Sequence, residues 1–310
     1  MKSKTLSFVA ALAGLFLAGA ECETINVFLI GGQSNADGRA TVSSLPSNLQ
    51  APQNDVPFYY GISNSKSPDI RKSEFTTLRP GLSNTSQFGP EITFGRTMAD
   101  YYAARGESIA LIKYANGGTN LAVNWHAGGT ATTAGDGAIY QNFQSIVTSG
   151  LAALRAANPD ATLQIAGMIW MQGESDSNAL SAQYQANLAA FINDIRLTYG
   201  ADLPFVIGQL SINQTGTNAD AGGTTENRNT VRAAQAAVAS ALPHTALVTT
   251  GTFGLNADNL HFSAAGQQAL GSAFATQMQT TVAVPEPSTM SMAASALLLF
   301  ALVGRFRRRG

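Results

Sequence analysis

Ile25-Asn26-Val27-Phe28-Leu29-Ile30 runs directly into Gly31-Gly32-Gln33-Ser34-Asn35. The first six residues read as a buried strand, and the next five as a sharp turn that carries a serine. Glycine permits backbone conformations and close approaches that a Cβ would block. A serine placed there can present both its hydroxyl and its backbone N–H to one reacting atom. A partner stands near the other end of the chain, in Asp258-Asn259-Leu260-His261, where an acid and a histidine lie three residues apart. Ser, Asp and His in this order point to acyl transfer through a covalent intermediate.

Working outward from the first strand, apolar runs alternate with helical patterns. Strands are expected over 25–30, 108–113, 164–170, 204–210 and 245–248, and helices over 90–105, 140–157, 181–199, 226–241 and 263–278. Ser263 is placed to cap the last helix. Strands alternating with helices predict an α/β fold with a five-stranded parallel sheet covered on both faces. Ligands of such sheets bind outside the carboxyl ends of the strands. The loops after the five strands, 31–39, 114–137, 171–178, 211–225 and 249–262, would therefore gather at one edge. Those loops hold every unusual segment. Residues 40–89 resist assignment: five prolines and many Ser and Asn surround Phe58-Tyr59-Tyr60. Short strands wandering over the active-site edge are expected there.

A serine hydroxyl is a poor nucleophile until a base takes its proton. Of the three histidines, His261 has the strongest context. His244 follows Pro243 at a helix end, and His126 sits in the loop Asn124-Trp125-His126. Asp258 can fix the tautomer of His261 and stabilise its imidazolium. The competing reading is that Asp258 and His261 only cap the last helix. A tetrahedral intermediate also needs donors for its oxyanion. Candidates are the Ser34 N–H, a backbone amide in Asn116-Gly117-Gly118-Thr119, and the Gln172 side chain in Trp170-Met171-Gln172-Gly173-Glu174-Ser175-Asp176. Glu174 and Asp176 have no His or Cys clustered with them, so neither a metal nor another cofactor is expected.

Together, Gly-Gln-Ser-Asn, Gly-Gly-Thr-Asn, Trp-Met-Gln-Gly-Glu-Ser-Asp and Asp-Asn-Leu-His-Phe resemble the SGNH hydrolase superfamily. More narrowly, they resemble the sialate O-acetylesterase-like domain grouped with carbohydrate esterase family six. The resemblance covers residues 25 to about 278 in the right order, with Phe88-Gly89-Pro90-Glu91 and the 203–209 run as secondary matches. It implies a three-layer α/β/α flavodoxin-like fold and removal of acetyl groups from sugar hydroxyls. It makes Ser34 the nucleophile, Asp258 and His261 its partners, and Ser34 N–H, Gly117 and Gln172 the oxyanion donors. The broad superfamily usually offers an Asn where Gln172 stands; a carboxamide is kept. Substrate contacts are expected from Gln33, Asn35, Trp125, His126 and Glu174, with Phe58-Tyr59-Tyr60 as a further sugar-facing cluster. Gly32-x-Ser34-x-Ala36 is close to the G-x-S-x-G elbow of α/β-hydrolases, but that elbow follows several strands, not the first.

The ends differ from the middle. Lys2 and Lys4, the apolar stretch 6–17 and Ala18-Gly19-Ala20 form a secretory signal pattern over residues 1–20. A buried first helix is the alternative. Cys22, the only cysteine, cannot make an internal disulfide, and Glu21 argues against lipidation. A hydrolase domain is expected over 21–283. Beyond it, residues 284–310 carry Val284-Pro285-Glu286-Pro287-Ser288, an apolar segment and Arg305-Phe306-Arg307-Arg308-Arg309. This resembles the PEP-CTERM sorting signal of Gram-negative bacteria, which implies transient inner-membrane anchoring and cleavage by an exosortase. A permanent single-span anchor is the alternative. Two lysines and four arginines lie in these ends; without these cations 12 basic residues face 19 acidic ones, a balance of −7. That acidic balance argues against nucleic acid or an anionic membrane surface as partner. The expected protein is thus an exported carbohydrate O-acetylesterase acting on acetylated oligo- or polysaccharide at the cell surface or in the extracellular matrix. The alternative is a polysaccharide-binding or matrix protein with a vestigial site, against which the intact Ser34, Asp258, His261 and Gln172 argue.

Overall fold

The computed structural model describes residues 23–61, 74–82, 86–215 and 223–282. The expected signal segment, Cys22 and the expected C-terminal sorting segment lie outside these residues. Among the described residues, no helix is long and apolar enough to cross a membrane.

In chain order the elements are β1 (Thr24–Gly32), α1 (Ser34–Asp37), β2 (Ala40–Thr41), α2 (Ser47–Gln50), β3 (Gln53–Gly61), β4 (Thr76–Leu78) and β5 (Gln87–Phe88). Then follow α3 (Glu91–Ala103), β6 (Ser108–Ala115), α4 (Ala138–Ala157), β7 (Thr162–Met171), α5 (Tyr184–Tyr199), β8 (Phe205–Gly208), α6 (Thr225–Ala241), β9 (Thr245–Val248) and α7 (Ala264–Val282). The main sheet has seven strands in the order β4-β3-β6-β1-β7-β8-β9, not the expected five. All its pairings are parallel except β3 with β4. The two added strands come from the stretch that resisted assignment. Its polar start, Gln53-Asn54-Asp55, and Pro57 hide the strand pattern, and the β3–β4 register is irregular between Gln53 and Pro57. β3 pairs with β6 only from Phe58 onward. Pro57 therefore falls at the edge-facing start of the strand, where a missing N–H costs least. β2 and β5 form a separate antiparallel pair.

Helices cover both faces. On β6, Leu111 meets α3 at Gly95, while its neighbour Ile112 meets α4 at Gly150. Successive strand residues point to opposite faces, so α3 and α4 lie on opposite sides of the sheet. α7 packs with α3, and α6 packs with α5. The core is continuous: Phe28 packs edge-on against Phe94 of α3, and Trp170 lies against Phe191 of α5. Such a core explains why no disulfide is needed. β1 is the topological centre, with β6 on one side and β7 on the other. Its carboxyl end is thus the crevice where the fold favours a ligand.

Candidate active site

Ser34 follows β1 at that crevice and opens α1. Gly32 sits at φ +137°, and a Cβ there would come within 2.1 Å of the Met171 carbonyl oxygen. Only glycine lets the turn pass so close to β7. The Gln33 N–H donates to that same carbonyl at 3.0 Å, and the Asn116 N–H donates to the Gly32 carbonyl at 3.0 Å. The turn is thus sewn to the loops after β7 and β6.

The second partner arrives on the loop before α7. Leu255 and Phe262 bridge its two ends, and the Asn256 N–H donates to the His261 carbonyl at 2.7 Å. Asn259 sits at φ +51°, a left-handed conformation that Asn tolerates better than most residues. The resulting tight turn points Asp258 at His261. His261 Nδ1 lies 2.7 Å from Asp258 Oδ2, and His261 Nε2 lies 3.0 Å from Ser34 Oγ. Asp258 Oδ1 also accepts the N–H groups of Leu260 and His261, each at 2.9 Å. Partial burial works to raise the Asp258 pKa, but these backbone and ring hydrogen bonds outweigh it and hold the carboxyl below its ordinary value. Helix capping falls to Ser263, whose Oγ accepts the Gly266 N–H at 3.2 Å. The acid and histidine are therefore not consumed as a cap.

The other expected site residues separate into groups. Gly117 borders Ser34: a Cβ on Gly117 would lie 3.4 Å from Ser34 Cβ. His126 is exposed on the same loop. Trp125 is not available to a sugar. It is fully buried against Tyr114, Phe143, Trp170 and Phe191, and its indole N–H donates to Thr119 Oγ1 at 2.9 Å. Thr119 in turn donates to the Asn116 carbonyl at 2.7 Å, so Trp125 braces the Gly117 loop from beneath. Phe58, Tyr59 and Tyr60 are likewise buried within β3 and do not face a ligand.

Gln33, Asn35 and Glu174 are also buried, and their hydrogen bonds go to protein. Gln33 Oε1 accepts from Gln172 Nε2 and from the Gly173 and Ser175 N–H groups, at 3.2–3.3 Å. Asn35 Nδ2 donates to Glu174 Oε1 at 2.6 Å and to the Leu260 carbonyl at 3.2 Å, while Asn35 Oδ1 accepts the Phe262 N–H at 2.9 Å. Glu174 is pushed above its ordinary pKa by burial, which the Asn35 and Gln214 amides and nearby His261 oppose.

Gln172, the expected carboxamide donor, is engaged within the protein. It is fully buried, and its NH2 group faces three acceptors: Asp176 Oδ2 at 2.6 Å, the Thr119 carbonyl at 3.1 Å and Gln33 Oε1 at 3.2 Å. Its two amide hydrogens are shared among these three acceptors. The sequence could place this carboxamide on the right loop but not show where its hydrogens go. Sequence reasoning also missed Gln214, which donates to the Leu260 carbonyl at 2.7 Å and to Glu174 Oε1 at 3.3 Å. Among the described residues no cluster of His, Cys, Asp and Glu is arranged to hold a metal. A cavity of about 740 Å³, lined by Asn26, Glu107, Gln164, Asp202 and His244, opens at the amino ends of the strands. It is at the opposite edge from Ser34.

Residues 24–280 match the family model described as carbohydrate esterase, sialic acid-specific acetylesterase. The chain belongs to this family. Membership makes it an ester hydrolase of the carbohydrate esterase kind. A solved protein from Arabidopsis thaliana is similar in fold, with a TM-score of 0.62 at 19% identity over 84% of this chain and 98% of that one. NanS matches with a TM-score of 0.56 at 14% identity over 84% of this chain and 98% of its own. XAC1771, described as a carbohydrate acetylesterase from Xanthomonas citri, matches with a TM-score of 0.55 at 20% identity over 83% of this chain. The match spans 56% of that longer chain. No curated protein sequence matched. At these identities the structural likeness speaks to the fold: a central, mostly parallel sheet between helical layers.

Proposed function

We propose that this carbohydrate esterase removes acetyl groups from sugar hydroxyls through an acetyl-enzyme on Ser34. The observation that carries the reading is the unbroken chain from Ser34 Oγ to His261 Nε2 at 3.0 Å, and from His261 Nδ1 to Asp258 at 2.7 Å. Ser34 Oγ attacks the acetyl carbon as its proton passes to His261 Nε2, and the carbonyl electron pair moves onto oxygen. The Ser34 and Gly117 N–H groups receive that oxyanion; both lie in turns at the carboxyl edge of the sheet. Collapse breaks the bond to the sugar oxygen, which takes the proton from His261. Water then repeats the sequence against the acetyl-enzyme, with His261 again as base, and acetate leaves. Asp258 stays ionised well into the acid range and holds the imidazole in one tautomer, consistent with its depressed pKa. No step calls for a metal or cofactor.

Exposed His126 supports a substrate wall on the loop after β6. The end segments support export, transient anchoring in the inner membrane and release by an exosortase-type enzyme, with an acetylated polysaccharide as the target.

The test compares wild type with Ser34→Ala on p-nitrophenyl acetate and on acetylated xylan. Ser34→Ala is expected to lose about 10³-fold or more in kcat while melting at the wild-type temperature. Equal rates in the two proteins would exclude Ser34 as the nucleophile.

A further inference from the structure

The cavity at the amino ends of the strands lies at the opposite edge from Ser34, and its lining is that of a binding site. We propose that it holds a neutral saccharide, so that a polysaccharide is gripped at the edge opposite the one where it is deacetylated. The inference goes beyond the proposed reaction and does not require Ser34 to be the nucleophile.

At about 740 Å³ the cavity has the size of a small-molecule site. On one side lie Asn26, Tyr102, Glu107 and Gln164; on the other lie Asp202 and His244. Asn26 is 3% exposed, and its Nδ2 donates to Glu107 Oε2 at 2.6 Å and to the Ser108 carbonyl at 3.4 Å. Among the described residues no donor reaches Asn26 Oδ1. Gln164 of β7 is in register with Asn26 of β1, so the two carboxamides stand side by side on one face. Tyr102 of α3 is 7% exposed, yet its hydroxyl has no hydrogen-bond partner among the described residues. The Glu107 N–H donates to the Tyr102 carbonyl at 3.1 Å, which keeps this acid beside it. Across the cavity, His244 Nε2 lies 3.7 Å from Asp202 Oδ1. That is too far for a direct hydrogen bond, but one ligand hydroxyl can meet both. His244 sits at φ +50°, a conformation uncommon for a residue with a Cβ. Arg196 holds it there: Nη2 donates to the Pro243 and His244 carbonyls at 2.7 and 3.0 Å, and Nε to the Leu203 carbonyl at 3.2 Å. One guanidinium thus fixes both segments of this rim.

The lining selects the ligand. Among the described residues around the cavity there is no lysine or arginine, whereas Glu107 and Asp202 are both present. A phosphate, sulfate or carboxylate would meet like charge. An apolar ligand would cover carboxylates and carboxamides without giving them partners. Sugar hydroxyls do both things required: they donate to Glu107 and Asp202, and they accept from Tyr102 and Gln164. From Asn26 to Gly32 β1 advances roughly 20 Å, so a chain held here leaves the crevice of Ser34 open. A second grip on one polymer raises its effective concentration at the crevice without any new contact there.

The experiment is affinity electrophoresis of the full chain in native gels that contain deacetylated xylan, hydroxyethyl cellulose or, as the anionic control, carboxymethyl cellulose. At least one neutral polymer is expected to retard the wild type, and the anionic one should not. Gln164→Ala/Asp202→Ala is expected to weaken that retardation about tenfold in dissociation constant, the loss of one to two hydrogen bonds. Its rate on p-nitrophenyl acetate should stay within about twofold of wild type, because the two edges are far apart. Asp202 is mostly exposed, so Asp202→Lys carries the test if the double variant does not fold. His126→Ala, at the other edge, should still be retarded. No retardation by either neutral polymer overturns the proposal. So does retardation that both edge variants keep, or that His126→Ala alone abolishes, since the polymer is then held at the crevice. Stronger retardation by carboxymethyl cellulose overturns the ligand class. Equal esterase rates in wild type and Ser34→Ala would sink the nucleophile and leave this inference standing on its own gels.

Discussion

At the scale of single residues, Asn35 shows how the side chain next to the proposed nucleophile can be wholly engaged within the protein. Its amide joins three segments that are far apart in sequence: the turn after β1, the loop after β7 at Glu174, and the loop before α7 at Leu260 and Phe262. Its backbone carbonyl also accepts Gln267 Nε2 at 3.1 Å. Truncation would strand the Phe262 N–H away from water and leave the Leu260 carbonyl and a Glu174 oxygen to Gln214 alone. Each buried polar group left without a partner costs about 1–3 kcal/mol, although Gln214 still reaches two of these acceptors. Asn35→Ala is therefore expected to lose about 3 kcal/mol of stability in urea unfolding. It should also lose at least about tenfold in kcat, because the backbone on either side of His261 is held less firmly to the turn of Ser34. A variant that unfolds like wild type but is equally slow would mean that Asn35 contacts the substrate after all.

At the scale of elements, the loop after β7 is where sequence and structure diverge most instructively. Gln172 and Asp176 sit where the motif predicts, yet they bond to each other and to the loop after β6. Asp176 accepts the Leu121 and Ala122 N–H groups at 2.8 and 3.2 Å, as well as Gln172. Burial nevertheless pushes its pKa up to about 6, against those three donors and with Glu174 adding to the rise. The folded value exceeds the unfolded one, near 3.9, so the folded state holds the proton more tightly. The stability this contributes is full below about pH 4 and is lost as pH rises through about 6. Asp176→Asn removes the titration. The melting temperature of wild type minus that of Asp176→Asn should therefore shrink between pH 4 and pH 7, and a difference that grows would contradict the shift. Periodicity made β1, β6, β7, β8, β9 and their helices legible, because each has a buried face that the sequence must repeat. It did not reveal β3, whose polar start and Pro57 break the pattern, nor β4, which is three residues long. That Ser34, Asp258 and His261 would meet was legible because the roles proposed for them demand particular residue types at particular turns. The direction of an amide hydrogen or of the Trp125 ring follows from packing between distant segments, and no local pattern records it.

At the scale of the whole molecule, the turn of Ser34 is fastened to the body by a buried ionic network. Lys113 lies within β6 with no exposed surface, and Glu91, at the start of α3, is almost as buried. Lys113 Nζ donates to Glu91 Oε2 at 2.7 Å and to the Asp37 carbonyl at the end of α1 at 2.8 Å. Glu91 Oε1 accepts the Gly89 N–H at 3.0 Å, in a segment so close to α1 that a Cβ on Gly38 would meet Gly89 N at 2.3 Å. One ion pair thus links the central sheet, the helical layer and the turn of Ser34. Its net contribution to stability is small, since burying both charges costs nearly what their attraction returns; removing one partner is different, because the other charge is left buried. Lys113→Met is expected to destabilise by about 3–5 kcal/mol, and Glu91→Gln by a comparable amount. The double variant Lys113→Met/Glu91→Gln should lose clearly less than the two single losses added together, a coupling that urea unfolding of all four proteins would measure. Strict additivity would mean that the pair does not act as a unit. Activity discriminates further: the double variant restores neutrality but not the donor to the Asp37 carbonyl. If that tether helps to set the α1 turn, the double variant should recover more stability than esterase rate.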